Sequence, residues 1–378
     1  MMSLARRLRT AMCVAVATCV VTVGSPVGSV DAASADLVDS VKTSKSRAEI
    51  SAFLASKAEA AAKKGERERA IVLYQALVTA RGPASAEAKE LAKAWTLAGQ
   101  SEDAARVWDE YASASEDPKA KADATKEADR LRKTPDPFGK PIELPTLVAE
   151  ARDAFKRGRA AFKKKQYGDA LVYFHMGYAL APDLPGFLRE LGATYDKLQA
   201  KDKKNDFYRA YLLRRPFGKN ADEVRKELAG QRGTLATLTI ETSLPCEQVW
   251  VNGQLVPGKL PQKKLLVAPG RYKALCLSNK YELANFERTT IAAGGEATIK
   301  FNWAIVANKL ENPLGRIAIE KWDEPGTMMD LGVSSPEIGV PVASDGRALR
   351  MIVKDDPGTR VEERSVRIRP GETFVVKW

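Results

Sequence analysis

The chain has 378 residues, 44% of them hydrophobic and 29% charged, with a formal net charge of +12 at pH 7. Such a length can bury two or three cores, and such a composition excludes wholesale disorder. One histidine and four cysteines leave little material for metal or triad chemistry.

The first 35 residues read as a secretory signal. Arg6, Arg7 and Arg9 precede an apolar run from Ala11 to Val23, Gly24-Ser25-Pro26 breaks it, and Ala33-Ser34-Ala35 offers small residues before Asp36. A membrane anchor would need about 20 apolar residues, more than this run provides. A lipoprotein would use Cys19, but Thr18 before it fits a lipobox poorly. Removing the segment lowers the formal charge from +12 to +10 by taking away Arg6, Arg7, Arg9 and Asp31, and leaves no transmembrane segment. An exported basic chain meets acidic protein segments, envelope proteins or cell-wall polymers rather than nucleic acid. The expected location is periplasmic or secreted, associated with the cell envelope. Cys13 and Cys19 leave with the signal, and an oxidising compartment allows Cys246 and Cys276 to form a disulfide.

From Ser51 to about Pro118, apolar residues at three- and four-residue spacing are interrupted at Lys64-Gly65, Gly82-Pro83 and Gly99-Gln100. The pattern predicts four helices, followed by a charged helix over 119–133. Pro135, Pro137, Pro141 and Pro145 mark an extended connector over 134–145. Across this region residues recur 34 positions apart: Gly65, Ala70 and Tyr74 match Gly99, Ala104 and Trp108, and Gly158, Phe174 and Pro182 match Gly192, Tyr208 and Pro216. That period belongs to stacked helix-turn-helix units. Ala104 to Ala170 is 66 residues, two short of two periods, so the repeats come as two pairs, 36–133 and 146–230. The fourth unit has Lys204 where a small crossing residue is expected, and Lys201–Asn205 is read as a lengthened turn. A polar helix over 220–229 caps the end. These residues resemble the tetratricopeptide repeat family, most fully in Ala154 to Pro182 with its turn Gln166-Tyr167-Gly168-Asp169-Ala170.

At Gly233 the period changes to two. Strands are predicted at Thr234–Thr242, Val249–Val251 before the Asn252-Gly253 turn, Lys264–Val267, Arg271–Leu277, Phe286–Ile291 and Ala297–Phe301. Short strands at such intervals predict a small sandwich over 233–303. Pro245, Val249, Val251, Asn252-Gly253, Gly258-Lys259-Leu260-Pro261, Ala268-Pro269-Gly270 and Gly295-Glu296 resemble the PEGA domain, with Gln248 where that family usually carries alanine. Residues 304–378 are β-rich. Gly315–Glu320, Ile338-Gly339-Val340-Pro341 and Arg369–Thr373 echo the first domain, so they form either a second PEGA-like sandwich or an extension of the first sheet. The predicted fold class is multidomain α plus β, a helical solenoid followed by small β-sandwich domains.

Catalytic, metal-binding and cofactor-binding patterns are missing from the sequence. His175 stands alone between Phe174 and Met176, no Cys-x-x-Cys, His-Glu-x-x-His, phosphate loop or dinucleotide fingerprint occurs, and Glu362-Glu363 and Asp355-Asp356 read as solvated turns. The expectation is a non-enzymatic protein without cofactor. The first helices of a tetratricopeptide stack line its groove, and here they carry Arg152, Phe155, Arg159, Lys163 and Arg189, with Lys89 and Lys93 in the first pair. Guanidinium forks bind carboxylates at two points, which suits an acidic extended peptide; a solvated basic face is the alternative. Both resemblances imply an adaptor acting through protein contacts in the envelope. The other reading is a module whose sandwiches bind cell-wall glycan through Trp250, Tyr281 or Trp322, should these stand together on one face. Amino-terminal sequencing of protein from its native host should begin at Asp36, and an intact Met1 would overturn the export reading.

Overall fold

The computed structural model describes residues 44–134, 142–229, 235–258, 262–310, 316–332, 337–354 and 361–377. The signal segment, Cys19, Pro135, Pro137, Pro141, Lys259-Leu260-Pro261 and Asp355-Asp356 lie outside them. The chain divides into two compact units, Met1–Phe187 and Leu188–Trp378.

Ten helices are described: α1 Ser44–Lys63, α2 Arg67–Arg81, α3 Ala86–Leu97, α4 Ser101–Ala114, α5 Pro118–Arg132, α6 Val148–Lys163, α7 Tyr167–Leu180, α8 Gly186–Lys197, α9 Lys201–Arg214 and α10 Ala221–Ala229. None is long and apolar enough to cross a membrane. The turns α1-α2, α3-α4, α6-α7 and α8-α9 share one geometry. Gly65, Gly99, Lys165 and Gln199 adopt φ of 73°, 74°, 60° and 60°. In each, the next residue's N–H reaches back five positions to a helix carbonyl: Glu66 to Ala61, Gln100 to Trp95, Gln166 to Ala161 and Ala200 to Tyr195, at 3.0, 3.1, 3.0 and 3.0 Å. This left-handed cap satisfies carbonyls that a helix end would otherwise leave bare.

Seven residues before each turn stands a buried small residue, Ala58, Ala92, Gly158 or Gly192, and nine after it an aromatic, Tyr74, Trp108, Phe174 or Tyr208. At two of these crossings the reason is explicit. A Cβ on Gly158 would lie 2.5 Å from the Phe174 ring, and one on Gly192 would lie 2.3 Å from the Tyr208 ring. Glycine is required there by close approach, whereas Gly65 meets nothing within 4 Å and serves only its backbone angle.

Stacking order is not chain order in the first unit. α2 packs against α1, α3 and also α7, so the third hairpin returns to the first instead of continuing beyond α5. Phe53 of α1 meets Tyr173 of α7 with ring centroids 6.3 Å apart, and Arg157 of α6 lies over Phe53 at 4.5 Å. Buried Glu150 of α6 accepts from Arg69 of α2, with Lys57 of α1 at 3.7 Å. The two missing residues between the repeat pairs therefore accompany a reversal of direction. Lys201–Asn205 is not a lengthened turn either. It is the first turn of α9, because Lys204 Nζ escapes the crossing to reach Asp196 and Glu227, each at 2.8 Å.

In the second unit the strands are β1 Ala236–Thr242, β2 Gln248–Val251, β3 Gln254–Leu255, β4 Gln262–Val267, β5 Gly270–Ser278, β6 Leu283–Ile291, β7 Glu296–Phe301, β8 Trp303–Asn308, β9 Arg316–Glu320, β10 Met328–Gly332, β11 Glu337–Pro341, β12 Ala348–Lys354, β13 Val361–Arg367 and β14 Thr373–Val376. They form sheets ordered β4-β1-β7, β3-β2-β5-β6, β11-β8-β14 and β10-β9-β12-β13. The second set repeats the first strand for strand, including the parallel pairs β1-β7 and β8-β14. Strands β8 to β14 do not extend the earlier sheets. Each set has its own buried cluster drawn from both of its sheets: Leu238, Ile240, Val251 and Tyr272 in the first, Val306, Ile319, Met351 and Val353 in the second. Trp303 opens β8 yet is fully buried in the first cluster, its indole N–H donating to the Leu244 carbonyl at 3.0 Å.

The left-handed turns make a two-way prediction. Gly65→Ala should lower stability by about 1 kcal/mol, while Lys165→Gly should raise it by a similar amount, since a side chain is unfavourable at positive φ. Gly158→Ala should cost about 1–3 kcal/mol through overpacking. That loss should shrink in a Phe174→Leu background, as a double-mutant cycle of denaturant melts will show.

Candidate functional site

Arg152, Arg159 and Lys163 lie on α6 at intervals of seven and four, hence on one helix face, and all three are exposed. Alternation of Arg152, Lys156 and Arg159 with the buried Ala151, Ala154 and Gly158 sets that face outward. Phe155 on the same helix is half-buried. It packs between Phe174 and Phe187, with centroids 5.8 and 5.3 Å away, and those two rings close on Gly158 and Gly177. Arg189 belongs to the second unit, where it pairs with Glu190. In the first pair, Lys93 bonds Glu90 at 2.7 Å, and Lys89 lies 4.9 Å above the Tyr111 ring in a cleft of about 300 Å³ shared with Trp108, Asp117, Lys119 and Asp123. That cleft mixes both charges. The basic face is therefore a property of α6.

Several tyrosines are structural. Burial pushes Tyr195 up to about 12, and Tyr208 to about 12 with the Glu227 carboxylate adding to the effect. Glu362 and Glu363 are not in a turn. They lie on β13, Glu363 bonding Arg350 at 2.7 Å and Glu362 pairing with Arg364. Among the described residues no three His, Cys, Asp or Glu side chains cluster as a metal would require.

The three aromatics of interest do not share a face. Trp250 lies on the outward side of β2; Tyr281 packs on the first core, 5.7 Å from the Trp303 ring; Trp322 packs on the second core, with Arg347 5.8 Å above it. Trp250 has other company. Register sets Leu255 and Leu275 beside it and Phe286 beside Leu275, and Leu255 and Phe286 are exposed. The sequence carries little signal of this row, because Leu275 and Leu277 alternate with apolar Ala274 and Cys276, which hides the parity of β5.

Cys246 and Cys276 are bonded, their Cα atoms 5.6 Å apart. Cys276 faces inward on β5 opposite Val249, so the bond ties the β1-β2 loop to the centre of the sheet.

No protein-family model matches the chain, and no curated protein matches it. Among solved structures it is similar to two described as MamA, at 14% identity over 48% of this chain and 95% of that one with TM-score 0.18, and at 15% over 46% and 97% with TM-score 0.16. The Bacillus anthracis TIE protein is similar at 14% identity over 38% of this chain and 33% of that one, with TM-score 0.17. TM-scores this low carry no argument, and the functional reading rests on the chain's own geometry.

Alkylation under denaturing, non-reducing conditions should add no mass at Cys246 or Cys276. Closing this loop should contribute roughly 3.5 kcal/mol in the chain-entropy picture, so reduction should lower the melting midpoint of the second unit. Two modified thiols would show the bond absent.

Proposed function

We propose that the protein is an exported, non-enzymatic adaptor of the cell envelope, with tetratricopeptide-like hairpins that dock an acidic protein segment and two PEGA-like β-sandwiches. The observation that carries this reading is the common hairpin: one left-handed turn, a small residue seven before it and an aromatic nine after it, four times. Such units bury their apolar faces on neighbours and leave outer helix faces to vary, which is how stacked repeats present binding surfaces. The seven-stranded topology, repeated in both β segments with a core drawn from two sheets, supports the sandwich reading. Export is supported by the residues before Asp36 and by a disulfide of the kind an oxidising compartment maintains.

The docking face is that of Arg152, Arg159 and Lys163. Guanidinium groups favour carboxylates through paired donors, and exposed contacts of this kind weaken with salt over a screening length of about 8 Å. A fluorescein-labelled Glu- and Asp-rich peptide tests it by anisotropy. Reversing Arg152, Arg159 and Lys163 to Glu should raise its dissociation constant about tenfold or more and flatten the salt dependence, with helical content unchanged. If reversing Lys119, Lys121 and Lys126 on α5 weakens binding equally, attraction is only to net charge and the docking reading fails.

A further inference from the structure

We propose that the outward face of the sheet β3-β2-β5-β6 binds an acidic polysaccharide. On β5, Tyr272, Ala274 and Cys276 are buried, so alternation turns Arg271, Lys273, Leu275 and Leu277 outward. Register then aligns Leu255, Trp250, Leu275 and Phe286 in one row across all four strands. Leu255 is 49% exposed and Phe286 60%. With strands about 4.8 Å apart, the row is about 14 Å long and its two aromatic positions are about 10 Å apart. The adjacent row sets Lys273 opposite Arg288, and the next sets Arg271 opposite Thr290. These four strands put three cations and no carboxylate on that face.

The fold does not demand this row, because the same chain builds the topology a second time without it. The matching row of β10-β9-β12-β13 is Asp330, Ala318, Ile352 and Glu363, and Glu363 is neutralised there by Arg350. One copy thus keeps a polar outer face with an internal ion pair, while the outward positions of the other hold aromatic and aliphatic groups beside cations and no carboxylate. Exposed apolar rows of this kind mark binding surfaces.

The occupant follows from shape and charge. A broad, flat face with rings two strands apart suits a stiff ribbon whose sugar C–H faces stack on Trp250 and Phe286, while its carboxylate, phosphate or sulfate groups meet Lys273 and Arg288. An acidic peptide strand would seek the free backbone groups of a sheet edge rather than side chains at mid-sheet. A membrane would be met by a protruding tip, and these side chains lie within the sheet's own face. The inference is independent of the α6 docking face, so charge reversal on α6 should leave it intact.

The test is binding of the full chain to polygalacturonate, with neutral dextran for comparison, by affinity electrophoresis. Trp250→Ala/Phe286→Ala preserves every charge. It should weaken polygalacturonate binding about tenfold, the scale of an emptied aromatic contact, while Trp322→Ala changes nothing. Equal binding by the double variant would overturn the proposal, since retention would then come from net charge alone. So would binding to phosphatidylglycerol vesicles in place of the polymer, or a dimer in sedimentation that the double variant dissolves. Should the alanine variant melt well below the parent, Trp250→Thr/Phe286→Thr, which retains strand preference, makes the same comparison.

Discussion

The helical architecture depends on one constraint: each hairpin must reverse in a turn short enough to bring two helices into contact along their lengths. A residue in the left-handed region meets that need, because its N–H and the next one return to carbonyls of the helix just ended. Once the turn is fixed, residues at matched distances on either side face each other. Gly158 and Gly192 then have no space for a Cβ, since Phe174 and Tyr208 already fill it. Turn, small residue and aromatic are one device seen at three positions. They recur together at spacings of 34, 66 and 34 because none works without the others.

The device tolerates a violation where a compensating interaction exists. Ala70, Ala104 and Ala170 are fully or almost fully buried, and the fourth equivalent is Lys204. Only 12% of its side chain is exposed, which would ordinarily disfavour an ammonium. Burial lowers its pKa, but hydrogen bonds to Asp196 and Glu227 outweigh that effect and hold it above the usual lysine value. Its stem fills the space of a larger apolar group while its charge links α8, α9 and α10. A residue that looks misplaced by size alone thereby ties the last hairpin to the helix that follows it.

Much of this organisation is legible in the sequence, and the omissions have physical causes. The two glycine turns announce themselves because glycine is favoured at positive φ, but Lys165 and Gln199 occupy the same conformation without a compositional signal. Strand positions follow from alternation, and the Asn252-Gly253 turn from its residues. Return of α6 and α7 to the first hairpin does not follow, because prolines between helices mark where a helix must end and not where the next one packs. Phe155 illustrates the same gap at the candidate site. Arg152 and Arg159 are exposed on α6, while Phe155 between them is half-buried against Phe174 and Phe187, and helical spacing alone does not separate the two surroundings.

The β segments carry the argument furthest, because a duplicated fold separates what stability needs from what it does not. Inward positions stay apolar in both copies: Tyr272, Ala274 and Cys276 in one strand, Leu349, Met351 and Val353 in its counterpart. Their identities differ, and only the first copy adds a disulfide. Outward positions diverge in kind as well as identity, from Trp250, Leu275 and Phe286 to Ala318, Ile352 and Glu363. A sheet needs its inner face filled, and it is indifferent to its outer face so long as water or a partner covers it. Where one copy satisfies that condition with an internal ion pair and the other exposes rings beside cations, the difference lies outside folding and belongs to what the first copy meets.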